Sequence, residues 1–147
     1  MMLILTVFTT TNYGTVNSTK KVKVKGYFEN NGTFSTSEEF KIEENGDVVN
    51  YCEIYITDDD FDQKGSFTNY GYVSVDDEIK FEGQTTLGNG SLIEANDFEI
   101  KHSSNNFVTG INNSTPPTTQ IKATDKGKVK NNASVSNVDL CANETEY

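Results

Sequence analysis

An all-β fold is predicted for this chain by three observations. Apolar and polar residues alternate over short windows, Gly and Asn punctuate the chain about every ten residues, and no window sustains helical periodicity. Together they predict a small five-stranded barrel or sandwich with extended N- and C-terminal segments. At 147 residues the chain has the length of one ordinary domain. Its apolar content of 34% is low, and the aromatics, Val and Ile crowd between Val22 and Ile100, so the core is expected there.

Residues 1–19 read as an apolar strand, MMLILTVF, followed by a flexible linker rich in Thr and Asn. The opening has no basic region and no small-residue cleavage site, and it is too short to cross a bilayer, so no membrane span is expected. From Lys20 the alternation is clean: Val22, Val24, Gly26 and Phe28 fall on one face, Lys21, Lys23, Lys25 and Tyr27 on the other. Asn30, Asn31 and Gly32 mark a turn. A strand over Glu39 to Glu44 then runs into the turn pair Asn45 and Gly46, a hairpin signal. The next strand, Val48 to Ile56, is expected to turn Val48, Cys52, Ile54 and Ile56 inward and Tyr51, Glu53 and Tyr55 outward. Thr57 to Tyr70 breaks the pattern with an acidic connection. Val73, Val75, Ile79 and Phe81 belong to a strand pair or one bent strand, and Ser91 to Lys101 closes the domain, which spans 20–102. Residues 103–147 form a polar extended tail, and no internal repeat is evident.

The stretches VKVKGYF, VSVDDEIKFEG and GSLIEANDFEI, between Lys20 and Lys101, resemble the strand order and punctuation of OB-fold domains. Gly26 stands where that family's first strand bends, Asp76 stands where its later turn carries Gly, and Ile93 and Ala95 match the closing strand. The resemblance implies binding of single-stranded nucleic acid, an oligosaccharide or a protein strand, without choosing among them.

A formal net charge of −10 and a pI near 4.4 oppose phosphate backbones and anionic lipid. Two cysteines and one histidine, His102, supply no zinc, haem or iron–sulfur ligand set. Cys52 and Cys141 are a disulfide candidate, set against two free thiols. Asp58, Asp60 and Asp62 alternate like calcium ligands, but Gln63 stands where an EF-hand loop needs Gly. A solvated acidic loop is therefore the simpler reading, and calcium the lesser alternative to no cofactor. Sequons begin at Asn17, Asn31, Asn89, Asn112, Asn113, Asn132 and Asn143, which suits glycosylation on an extracellular or cell-surface protein. No GxSxG or HExxH occurs, and no enzyme is expected.

Two uses follow. The first is a structural subunit of a surface or extracellular assembly, such as a filament, whose partners are copies of itself. In it the N-terminal strand is donated to a neighbour's sheet, with Met1, Leu3, Leu5 and Val7 facing the acceptor. The second is an OB-like module that binds single-stranded nucleic acid or an oligosaccharide through Lys21, Lys23, Lys25, Tyr51 and Tyr55. Lysines that only keep strand edges soluble are the plainer account of the first three.

Overall fold

A computed structural model describes residues 2–5, 9–101, 107–111, 118–130 and 133–146, with the side chains of 3–5 and 107 left aside. The first coil holds β1 (Leu3–Leu5), β2 (Thr10–Asn12) and β3 (Thr15–Ser18). The second holds β4 (Val22–Val24), β5 (Tyr27–Asn30) and β6 (Thr33–Thr36), and the third β7 (Phe40–Ile42), β8 (Asp47–Asn50) and β9 (Glu53–Ile56). Then follow β10 (Phe61–Gln63), β11 (Ser66–Asn69), the long β12 (Tyr72–Phe81), β13 (Thr85–Leu87) and the long β14 (Leu92–Ile100). The last coils are built from β15 (Phe107–Gly110), β16 (Gln120–Ala123), β17 (Lys126–Val129), β18 (Ser134–Ser136), β19 (Asp139–Cys141) and β20 (Glu144–Glu146).

Every pairing between these strands is parallel and joins one coil to the next. The chain therefore winds a three-sided parallel β-solenoid. Face I contains β1, β4, β7, β10, the second half of β12 and of β14, β17 and β20. Face II contains β2, β5, β8, β11, β13, β15 and β18. Face III contains β3, β6, β9, the first halves of β12 and β14, β16 and β19. β12 bends between faces III and I, where its register against β14 shifts between Val75 and Glu78.

The all-β expectation holds, while the OB-like barrel, the sandwich and the five-strand count are overturned. A barrel or sandwich built from hairpins needs antiparallel neighbours, and here strands adjacent in sequence lie on different faces. The turn signals were real but mark the corners of a coil. The repeat is real as well. Register partners fall 18 to 21 residues apart from Val22 through Phe40, Phe61 and Ile79 to Phe98, and 29 apart from Phe98 to Gly127.

Each coil turns alternate side chains inward, and these stack into columns. Val22, Phe40, Phe61, Ile79 and Phe98 form one column on face I; Phe34, Ile54, Val73, Ile93 and Ile121 form one on face III. All are buried. Phenylalanine rings join the faces through the centre, from Phe28 to Phe34, Phe40, Phe61 and Phe67 with centroids 5.1 to 5.6 Å apart. At the corner between faces II and III the buried amides Asn12, Asn30, Asn50 and Asn69 form a ladder. The Nδ2 groups of Asn12, Asn30 and Asn50 each donate to the next Oδ1 at 2.8 Å, and all four cap a corner carbonyl of their own coil, at 2.8 to 3.2 Å. Glycine is needed where corners stack closest: a Cβ on Gly65 would collide with the carbonyl oxygen of Gly46.

Candidate functional site

The outward residues are where a solenoid meets its partners, and the three faces differ sharply. On face I the successive rungs present Lys21, Lys23 and Lys25; Glu39, Lys41 and Glu43; Asp60, Asp62 and Lys64; and Glu78, Lys80 and Glu82. The later rungs present Asp97, Glu99 and Lys101; Lys126, Lys128 and Lys130; and Glu144 and Glu146. Every one of these positions from β4 to β20 is charged, with ten lysines against ten carboxylates. The face is thus neutral, and the chain's whole formal charge of −10 lies on the rest of the molecule.

Ion pairs cross the rungs. Lys41 meets Asp62 at 3.5 Å, Lys101 meets Glu82 at 2.8 Å, Lys128 meets Glu146 at 3.2 Å, and Lys80 bridges Asp60 at 3.0 Å and Glu78 at 3.1 Å. Lys21 pairs with Glu39. The hydrogen bond that Lys21 donates to Glu39 raises the Lys21 pKa, as the bond that Lys101 donates to Glu82 raises that of Lys101. At Lys80 burial works to lower the pKa, and the Asp60 and Glu78 carboxylates outweigh it, so the net direction is again upward.

Face II is mostly small and polar on its outside, with Thr68, Thr86, Thr109 and Ser136 in one column. On the corner beside the asparagine ladder, Tyr51 and Tyr70 stack with centroids 5.1 Å apart and rings 5° from parallel, and both are exposed. Tyr27 lies half-buried on face II. Burial, aided by its hydroxyl bond to Glu29 at 2.9 Å, pushes its pKa up to about 12.

Face III carries a groove of about 530 Å³ along the corner it shares with face I. Its floor is Val75, Ala95, Ala123 and Ala142, whose small side chains leave the depression. One wall is Ser74, Glu94, Lys122 and Cys141; the other is Asp76, Asn96, Thr124 and Asn143. The walls are tied in place. The Tyr72 hydroxyl donates to Glu94 at 2.7 Å, the Thr124 hydroxyl to Asn96 at 3.0 Å, and the Asn143 amide to the Thr124 carbonyl at 2.5 Å. Register places Tyr55 one rung before Ser74 in the same outward column, at the head of the groove. Its ring meets Tyr72 edge-on at 5.8 Å.

No protein family, curated protein or solved structure matches this chain.

The solenoid separates residues that the OB-like reading grouped. Lys21, Lys23 and Lys25 stand on face I, Tyr51 on the corner of faces II and III, and Tyr55 on face III, so they form no common surface. Leu3 and Leu5 belong to β1, which pairs in parallel with β4 of its own chain; Met1 and Val7 lie outside the described residues. Cys52 is exposed at a corner, contrary to its expected inward position, because Tyr51 and Cys52 bend between β8 and β9. Cys141 is half-buried in the groove wall, and both thiols are free. Asp60 and Asp62 are engaged by lysines and Asp58 is exposed. Among the described residues no three potential ligands cluster for a metal. Asn17, Asn89 and Asn143 are exposed and Asn31 is half-buried, while Asn112, Asn113 and Asn132 lie outside the described residues.

The groove residues went unnoticed in the sequence because successive wall residues are 19 to 28 positions apart. A signal was present: Gly-x-Phe-x-Asn at Gly26 and Gly65 and Gly-x-Val-x-Asn at Gly46 repeat with the coil and set the register from which the walls follow.

Proposed function

We propose that this chain is a non-enzymatic structural segment of a surface or extracellular assembly, in which further coils stack on the ends of the solenoid through main-chain strand pairing. The observation that carries this reading is the state of the two ends. Among the described residues β1, β2 and β3 at one end, and β18, β19 and β20 at the other, each pair with a strand on one side only. Open edges of this kind template the addition of another strand, and solenoids ordinarily end in caps that prevent it. Among the described residues neither end is covered. Second copies of the chain are the partners this reading names, joined by β-augmentation.

Thr11 supplies the test. The Asn12 carbonyl accepts the Asn31 amide at 2.7 Å, so strand alternation turns the Thr11 amide toward the open edge. Replacing Thr11 by Pro removes that donor and leaves the internal ladder intact. Light scattering is expected to find rod-like oligomers for the intact chain that survive high salt, and smaller species for Thr11→Pro. An intact chain that stays monomeric at high concentration, or oligomers that dissolve in salt, would show that edge pairing is not the means of assembly.

A further inference from the structure

We propose that the groove on face III is a binding site for a linear, uncharged oligosaccharide. Four successive rungs line it, and at the usual spacing of about 4.8 Å between strands it runs about 14 Å from first rung to last, room for a short saccharide chain lying along the axis. Each rung offers its own hydroxyl, amide or charged group at nearly the period of a pyranose chain. These groups are held by the Tyr72–Glu94, Thr124–Asn96 and Asn143–Thr124 bonds before any ligand arrives, which lowers the ordering that binding requires. Tyr55 at the head of the groove adds an aromatic face on which the C–H face of a sugar ring packs.

Two other ligand classes fit less well. Asp76 and Glu94 outnumber Lys122 in the walls, and the molecule outside face I carries all of the net negative charge, so polyanions are repelled. An extended peptide captured by a sheet needs an open main-chain edge. The strands beneath the first three rungs, β12, β14 and β16, are paired on both sides; among the described residues only β19, at the last rung, has an open edge, and a peptide added there would lengthen the sheet rather than lie along the groove.

The two thiols provide a test within the native chain. Cys141 lies in the groove wall and Cys52 is exposed at the corner between faces II and III, so both can be followed by iodoacetamide alkylation and mass spectrometry. Linear oligomers of N-acetylglucosamine and of glucose, from dimer to hexamer, are the probes. One of the two series is expected to slow alkylation of Cys141, more strongly as the oligomer lengthens, and to leave Cys52 unaffected. Tyr55→Ala is expected to weaken this protection about tenfold. Ser74→Phe, which fills the groove from an outward position, abolishes it, and Tyr51→Ala, on another corner, leaves it unchanged. The proposal is overturned if neither series protects Cys141 at millimolar concentration, if both thiols are protected alike, or if sulfated oligosaccharides or acidic peptides protect better than the neutral sugars. Circular dichroism on each variant separates loss of the site from loss of the fold. Assembly through the ends is read by light scattering on the same samples, so failure of one reading leaves the other standing.

Discussion

The asparagine ladder shows what one polar residue contributes inside an apolar column. Asn50 is wholly buried. Its Oδ1 accepts from Asn30, and its Nδ2 lies within hydrogen-bonding reach of Asn69 Oδ1 at 2.8 Å, the Tyr72 carbonyl at 3.1 Å and the Cys52 carbonyl at 3.2 Å. Asn50→Ala strands several of these groups away from water and is expected to destabilise the fold by about 2–4 kcal/mol. Asn12 has a ladder neighbour on one side only and stands at the solenoid's end, so Asn12→Ala should cost less than half as much. Urea denaturation of both variants checks the order; equal losses would mean the ladder is not cooperative. The periodicity of Val22, Val24 and Phe28 was legible as a strand face, because alternation reports burial wherever one side is wet. Asn30, Asn50 and Asn69 were not legible as core residues, since Asn beside Gly signals a turn equally well whether its side chain faces solvent or a neighbouring coil.

At the scale of the element, corners limit the solenoid more than strands do. Its strands are mostly three or four residues long and could not persist alone; each is held by the rungs above and below. The corners must then stack at strand spacing, which leaves no space for a side chain where one backbone passes over another. A Cβ on Gly65 would meet the Gly46 carbonyl, whereas one on Gly14 would meet nothing within 4 Å. Gly65→Ala is therefore expected to destabilise by about 2–4 kcal/mol, and Gly14→Ala to stay within about 0.5 kcal/mol. Thermal melts of the pair are the check, and a similar shift in both would place the effect in the unfolded chain. Such glycines read in the sequence as turn punctuation. The close approach that requires them involves backbone about twenty residues away, which no local window contains.

For the whole molecule, charge is divided by face. The neutral lattice of face I holds lysines whose pKa values are raised, and Tyr27 on face II is pushed up to about 12 from an ordinary value of 10.0. A group whose pKa is raised on folding stabilises the native state fully below its unfolded pKa and loses that contribution as pH rises through the folded one. Stability is thus expected to hold to about pH 10 and to fall above it, as Tyr27 deprotonates through its raised pKa of about 12 and as the unfolded chain's lysines lose protons that Lys21, Lys80 and Lys101 still hold when folded. Unfolding followed by circular dichroism across that range tests it, and a midpoint unmoved from pH 8 to 12 would contradict it. The solvent-exposed pairs contribute little one by one, and the lattice stabilises the fold as a network.

The sequence by itself determined that the chain is all-β, that residues such as Val22, Val24 and Phe28 alternate inward and that its charge is strongly negative, because each of these is written in windows shorter than one coil. Thr57 to Tyr70, which reads as an acidic connection, instead carries β10 and β11 with Phe61 and Phe67 buried. Only the tertiary structure decided that the turns are corners rather than hairpins. It also decided that Lys21, Tyr51 and Tyr55 lie on separate surfaces, and that Ser74, Glu94, Lys122 and Cys141 line up along one groove. The physical reason is that a parallel coil pairs each strand with one about twenty residues away. Alternation of period two specifies which way a side chain points, and leaves open which rung lies beside it until the coils are stacked.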